Sequence, residues 1–172
     1  WSRPDISHAM GVLGRCLSCP RASHLQAAFH LLRCLRGTAD RSLYYWPEGH
    51  NNDSKHQPHP HHLIIGGARR RKQERKKPAN TQGTKLCGYA DSAFASDIDT
   101  RRSTTGFIWF YGGNLVSWTS KVQKVVALST AEAEYIALSQ AMQEGAHLQN
   151  LYTEIGVKKV TPGIAYEDNE AC

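Results

Sequence analysis

The chain has 172 residues, of which 40% are hydrophobic, and a formal net charge of +6 at pH 7. This length holds one domain, or one domain and part of another. No apolar stretch reaches the roughly 18 residues of a membrane-spanning helix, and no signal-peptide pattern opens the chain. We therefore expect a soluble, intracellular protein that has no membrane partner.

Residues 1–46 predict two helices and a short strand. Pro4 suits the first turn of a helix, and apolar residues follow it at helical spacing. Ser23 is the candidate N-cap of a second helix that stops at Gly37. Residues 43–46 are the strand candidate. We expect an apolar-faced helical hairpin that packs on another part of the protein.

Residues 47–83 differ in composition from the rest of the chain. Histidines crowd their first part, and residues 69–77 hold seven basic side chains and one acidic side chain. The rest of the chain then carries 14 basic and 14 acidic residues and is formally neutral. We interpret the segment as a disordered, low-complexity linker. Metal uptake by the histidines, nuclear localisation and phosphate binding by the basic tract remain open.

From residue 84 onward the sequence predicts strands. Three segments of alternating or β-rich residues follow one another with polar turns between them, which is typical of an antiparallel meander. A Pro-Gly pair later introduces a fourth strand. The four predicted strands are Lys85 to Asp91, Thr104 to Tyr111, Leu115 to Thr119 and Ile164 to Glu167.

A long helix is predicted between the third and fourth strands. Ser129 is an N-cap residue type, and Glu132 three residues later completes a capping-box pattern. Glu134 heads a stripe of mostly small apolar residues at helical spacing, which favours close packing on a sheet. The stripe contains Ala137, Leu138, Ala141, Gly145 and Leu148. A carboxylate at the edge of such an interface needs a partner for its charge.

Three carboxylates are predicted to meet. Asp91 ends the first strand, Glu134 lies in the first turns of the helix, and Asp168 ends the fourth strand. A crossover helix lets the fourth strand lie parallel beside the first, so that their carboxyl ends coincide. Carboxylates so placed suit Mg²⁺ or Mn²⁺, and two such ions roughly 4 Å apart can clamp a phosphodiester during hydrolysis. The sequence thus predicts metal-dependent phosphodiester hydrolysis.

Several ordered blocks resemble a known family, the ribonuclease H region of copia-type retrotransposon polyproteins. These blocks are Gly88–Ser92, Asp99–Gly106, Val116–Lys121, Ala127–Leu138 and Tyr166–Asn169. Arg3–Ile6 and Leu32–Asp40 resemble the segment that joins the reverse transcriptase to that region. The resemblance covers nearly all of the chain outside residues 47–82.

The resemblance implies an α/β fold with a ribonuclease H-like mixed sheet, in which strands 1–3 are antiparallel and strand 4 is parallel to strand 1. It implies two-metal cleavage of the RNA strand of an RNA–DNA hybrid, beside the reverse-transcriptase part of the same polyprotein. Asp91, Glu134 and Asp168 match three metal ligands of the family. A further acidic residue, with another helix and strand, follows in the family, so the resemblance also implies a C-terminally truncated domain.

The same series of blocks predicts three segments: residues 1–46 as connection-like helices, 47–83 as the linker, and 84–172 as the truncated ribonuclease H-like domain. Arg101, Arg102, Ser103 and Lys121 are candidate phosphate contacts, although exposed turn residues of these types are commonly only solvated. Two alternatives to the ribonuclease activity remain open. In one, the chain is a catalytically inactive relic. In the other, it is a module that binds nucleic acid nonspecifically through its basic tract.

Overall fold

The computed structural model describes residues 3–43, 45, 85–157 and 161–167. The predicted linker, Asp168 and half of the strand predicted at residues 43–46 lie outside the described residues. None of the described helices is long and apolar enough to cross a membrane.

The two predicted N-terminal helices are present. A short 3-10 turn, Pro4–Ile6, leads into α1, Ser7–Arg15, and α2 follows at Ala22–Gly37. The prediction that Ser23 is the N-cap is wrong. The helix α2 already begins at Ala22, and Arg21, which has an extended backbone, occupies the cap position. The backbone N–H of Arg21 donates to His24 Nδ1 at 3.1 Å, so a side chain of the first turn closes the helix start.

The start and the end of the helical hairpin are tied together by one side chain. Arg3 forms a two-point ion pair with Asp5, with an Nη2–Oδ2 distance of 2.7 Å. Its guanidinium also donates to the carbonyl oxygen of Thr38 at 3.2 Å and to the Thr38 hydroxyl at 2.7 Å. Neither α1 nor α2 contains a fully buried residue.

The sheet has the predicted mixed topology. Its four strands are β1, Lys85–Ala93; β2, Thr104–Tyr111; β3, Asn114–Val122; and β4, Thr161–Tyr166. They lie in the order β3-β2-β1-β4, with β4 parallel to β1 and the other pairs antiparallel. Asp91 does not end β1 as predicted, because the ladder with β2 continues for two more pairs, up to Ala93 opposite Thr104.

The crossover helix α3, Thr130–Glu154, begins where the capping pattern predicts. Ser129 Oγ accepts the N–H of Glu132 at 3.1 Å. The Glu132 carboxylate accepts the N–H of Leu128 at 2.6 Å. In a standard capping box it would instead accept the N–H of the N-cap residue, which here is Ser129. The buried side of α3 follows the predicted stripe, with Leu138 only half-buried. It consists of Ala133, Glu134, Ala137, Ala141, Gly145 and Leu148.

Trp109 of β2 fills the space between the sheet and α3. Its side chain is 0% exposed, and its indole N–H donates to the carbonyl oxygen of Ala141 at 3.0 Å. A Cβ added to Gly145 would lie 2.5 Å from the Trp109 ring, and one added to Gly88 would lie 2.7 Å from it. The small residues of α3 and β1 therefore make room for one large ring, which fixes how closely the helix approaches the strands that carry the site.

Candidate functional site

Glu134 is a buried carboxylate in the first turns of α3. Its side chain is only 7% exposed, and among the described residues its Oε2 atom has no hydrogen-bond partner. Burial raises the pKa of Glu134 to about 7, and the negative charges of Asp91 and Glu167 contribute to that increase. The nearby Ser92 offsets part of the increase. Near neutral pH this carboxylate is therefore poised between its protonated and ionised forms.

Asp91 and Ser92 approach Glu134 from the end of β1. Asp91 is exposed, whereas Ser92 lies on the face of β1 that packs against α3. Ser92 Oγ is buried and, like Glu134 Oε2, has no hydrogen-bond partner in the described part of the chain. Ser92 and the Glu134 carboxylate thus lie close together beneath the start of α3, within electrostatic range of Asp91.

The third predicted carboxylate, Asp168, lies outside the described residues. The last described pair of the parallel ladder joins Tyr89 to Tyr166, and Glu167 is close enough to influence Glu134. The sequence reasoning did not single out Glu167, which directly follows β4, as a site residue. Within residues 3–43, 45, 85–157 and 161–167, no three His, Cys, Asp or Glu side chains form a metal-binding group.

A cleft of about 480 Å³ lies on the face of the sheet opposite α3. Pro4, Ser7 and His8 of the helical hairpin line one side of it, and Asp91 and Ser120 line the sheet side. His8 Nδ1 lies 3.0 Å from Ser120 Oγ, which joins α1 to β3. The sequence reasoning missed both residues, because 112 positions separate them and no local pattern connects them.

Aromatic side chains line another part of this cleft. Tyr89 stacks on Tyr166 with ring centroids 5.3 Å apart and meets Phe110 edge-on at 6.3 Å. Trp118 also lines the cleft and is half-buried. The cleft therefore joins a polar end, which contains Asp91, to an apolar surface of aromatic rings.

The candidate phosphate contacts lie in three different environments. Arg101 and Arg102 are exposed in the turn between β1 and β2. Ser103 is 0% exposed and its hydroxyl accepts the N–H of Ala95 at 3.0 Å, so the prediction that it contacts phosphate does not fit its burial. Lys121 is exposed beside a separate groove of about 890 Å³ on the outer side of α3, away from the cleft that holds Asp91.

The chain is similar to proteins encoded by transposons. It is 36% identical over 156 residues to the retrovirus-related Pol polyprotein from transposon TNT 1-94 of Nicotiana tabacum, which covers 91% of this chain and 9% of that protein. It is 31% identical over 169 residues to the Pol polyprotein from transposon RE1 of Arabidopsis thaliana, covering 98% of this chain and 9% of that protein. It is also 35% identical over 147 residues to the secreted RxLR effector protein 161 of Plasmopara viticola, which covers 86% of this chain and 80% of that protein.

No family model matches the chain, and no solved structure matches it. The chain spans 9% of the length of the Pol polyproteins named above. The similarity nevertheless extends over nearly all of this chain, which confirms the resemblance to a retrotransposon polyprotein. The chain therefore corresponds to one segment of the retrovirus-related Pol polyproteins from transposons.

Proposed function

We propose that residues 84–172 form a ribonuclease H-like domain that hydrolyses the RNA strand of RNA–DNA hybrids. The mixed sheet, with β4 parallel to β1 and α3 crossing between β3 and β4, is the topology that such a fold requires. The observation that carries the proposal is the buried Glu134 carboxylate beside Asp91, with a pKa raised to about 7. Carboxylates with strongly raised pKa values cluster at functional sites more often than elsewhere.

The described oxygens fit a hard divalent cation. Glu134 Oε2 is buried without a hydrogen-bond partner in the described part of the chain, and the charge of Asp91 already disfavours its ionisation. A cation between such carboxylates removes their repulsion and supplies the missing partner. We propose that Asp91 and Glu134, together with Asp168, hold two Mg²⁺ or Mn²⁺ ions. When bound, such ions activate water and stabilise the charge that develops on the phosphate.

The residues of the chain have distinct tasks in this proposal. Glu134 would give up the proton that it carries below its raised pKa in order to hold a cation. The hydrogen bond from Trp109 to Ala141 and the close packing of Gly145 hold α3 at a fixed height above the sheet, so the distance between Asp91 and Glu134 is set before substrate arrives. Arg101 and Arg102 are exposed in the turn that follows β1, where they are available to the sugar–phosphate backbone.

The partner proposed for this domain is the reverse-transcriptase part of the same polyprotein. Two of the relatives named above are Pol polyproteins in which this segment accounts for 9% of the length. A polymerase that copies RNA leaves an RNA–DNA hybrid, which is the substrate proposed here. We therefore propose that degradation of the template follows synthesis within one polypeptide.

The test is cleavage of a hybrid whose RNA strand carries a label. We expect Mg²⁺-dependent cleavage that stops on chelation. The cleavage rate should fall by about two orders of magnitude or more in Asp91→Asn and in Glu134→Gln, because the loss of one residue of a group that acts as a unit removes most of the activity. Glu154→Gln, at the exposed far end of α3, is the matched control and should cleave at the wild-type rate.

The assay should use the 172-residue chain and also the longest encoded product that contains it. The proposal is wrong if neither cleaves the hybrid with Mg²⁺ or Mn²⁺. It is also wrong if Asp91→Asn cleaves at the wild-type rate.

A further inference from the structure

Three residues of the sheet form a row across the face opposite α3. Asp91 of β1 lies opposite Gly106 of β2, and Gly106 lies opposite Ser120 of β3. Neighbouring strands are about 4.8 Å apart, so the Cα atoms of Asp91 and Ser120 are about 10 Å apart. Among the described residues, a Cβ added to Gly106 would have only one neighbour within 4 Å, the Asp91 carbonyl oxygen at 3.8 Å. The absent side chain therefore leaves an open gap between two polar residues.

His8 closes this gap on the side of the helical hairpin. It lies in the first turn of α1, is exposed, and lines the same cleft as Asp91. One turn later, a Cβ added to Gly11 would lie 3.7 Å from the Ser120 carbonyl oxygen, so α1 approaches β3 closely at this point. The contact between His8 Nδ1 and Ser120 Oγ fixes the orientation of the ring. The other ring nitrogen, Nε2, lies on the opposite edge of the imidazole and forms no hydrogen bond within the described part of the chain.

The next row of the sheet has a different chemistry. Tyr89, Ile108 and Trp118 lie opposite one another on the same face as Asp91. Aromatic faces of this kind stack on nucleobases and pack against sugars. A ligand that spans both rows thus needs a charged or polar part at the gap over Gly106 and a flat or apolar part beside it, as a nucleotide has.

We propose that His8 contacts the nucleic acid in this cleft, with Nε2–H donating a hydrogen bond to a phosphate oxygen of the strand that lies at Asp91. The inference rests on the proposed function, because it takes the hybrid as the ligand. In this proposal the Ser120 hydroxyl donates to Nδ1, which leaves a proton on Nε2 and makes Ser120 a positioning residue. The helical hairpin then contributes a substrate contact to a site whose carboxylates come from the sheet and α3.

Chemical footprinting tests this contact without requiring cleavage. Diethyl pyrocarbonate acylates accessible imidazoles, and mass spectrometry locates the modified histidine. In the 172-residue chain with Ca²⁺ and an RNA–DNA hybrid at saturating concentration, we expect acylation of His8 to slow by about fivefold or more, because the phosphate contact occupies Nε2. His147, which is exposed on α3, is the internal control and should react at the same rate with and without hybrid. Equal acylation of His8 with and without hybrid would overturn the inference.

Kinetics of cleavage give the second measurement. His8→Ala should raise the KM for the hybrid about tenfold with a smaller change in kcat, since loss of a hydrogen bond to a charged group weakens binding. His8→Gln keeps an N–H donor near the position of Nε2 and should recover part of the affinity. Ser120→Ala should have a smaller effect than His8→Ala, and His147→Ala should have none. Wild-type KM values in both His8 variants would contradict the inference.

The two proposals fail in different ways. If His8 is protected but neither the 172-residue chain nor the longer product cleaves the hybrid, the contact is retained and the hydrolysis is refuted. Cleavage without protection, and with wild-type kinetics in the His8 variants, refutes the contact and retains the hydrolysis. Neither cleavage nor protection refutes both.

Discussion

The indole nitrogen of Trp109 lies 3.0 Å from the carbonyl oxygen of Ala141, so the middle of α3 is hydrogen-bonded to a strand through a ring that is 0% exposed. Glycines on both sides leave room for that ring, since added Cβ atoms at Gly88 and Gly145 would come within 2.7 and 2.5 Å of it. The height of α3 above β1, and with it the position of Glu134 relative to Asp91, depends on this packing.

Gly145→Ala should lower the free energy of unfolding by about 2–3 kcal/mol, because the new methyl group overlaps the Trp109 ring and forces the helix away from the sheet. Urea denaturation measures the change. Gly14→Ala is the matched control, because Gly14 lies within α1 and an added Cβ would meet no atom of the described residues within 4 Å. That control should stabilise by about 0.5–1 kcal/mol through helix propensity. Equal effects of the two substitutions would contradict the packing described here.

The buried Glu134 carboxyl should make stability depend on pH in the absence of divalent ions. Its pKa is raised from 4.5 to about 7, so between these values the folded chain binds more protons than the unfolded chain. The stabilisation is complete below about pH 4.5 and is lost as the pH rises through about 7, with an upper size of roughly 3 kcal/mol.

Denaturant unfolding from about pH 4.5 to about 8 measures this contribution as the difference between the wild type and Glu134→Gln. The variant has no ionisable group at this position, so its stability should decline less over the same range. Asp91→Asn removes one of the charges that raise the pKa of Glu134 and should shift the decline to lower pH. Parallel profiles for the wild type and Glu134→Gln would rule out the raised pKa.

Removal of the helix cap should destabilise the domain locally. Ser129→Ala removes the acceptor of the Glu132 N–H and should cost about 1 kcal/mol of unfolding free energy. Ser139→Ala, at an exposed position within α3, lacks such a role and should change stability by less than about 0.5 kcal/mol. Thermal unfolding followed by circular dichroism distinguishes the two. A Ser129→Ala variant as stable as Ser139→Ala would show that the cap contributes nothing measurable.

The basic tract provides a prediction about nonspecific binding. If residues 69–77 hold nucleic acid, their deletion should reduce the slope of log affinity against log salt concentration by about 0.7–0.9 for each phosphate that the tract neutralises. Fluorescence anisotropy with a labelled duplex measures the slope. An unchanged slope would show that the tract does not act as the nonspecific binding module considered as an alternative.

Local patterns were sufficient to predict most of the domain. The alternation in β1, the cap at Ser129 and the small-residue stripe of α3 each depend on neighbours within a few positions, and all three are present. The parallel pairing of β4 with β1 also followed, because a helix between two strands allows that arrangement.

Interactions that depend on tertiary packing were not predictable in this way. Ser103 stands in a polar turn sequence that favours exposure. In the structure it is nevertheless fully buried, and its hydroxyl accepts a hydrogen bond from the N–H of Ala95. The pairing of His8 with Ser120 depends on where α1 meets β3, and no periodicity encodes that meeting. The effect of the Glu167 charge on the pKa of Glu134 could not be predicted without knowing where α3 lies relative to β4.

The bonds from Arg3 to Thr38 have a mechanical consequence. They clamp the chain where it enters the helical pair to the chain where it leaves, so the pair is a closed loop under load. Tension applied between Arg3 and Thr38 would therefore load these hydrogen bonds before it separates α1 from α2.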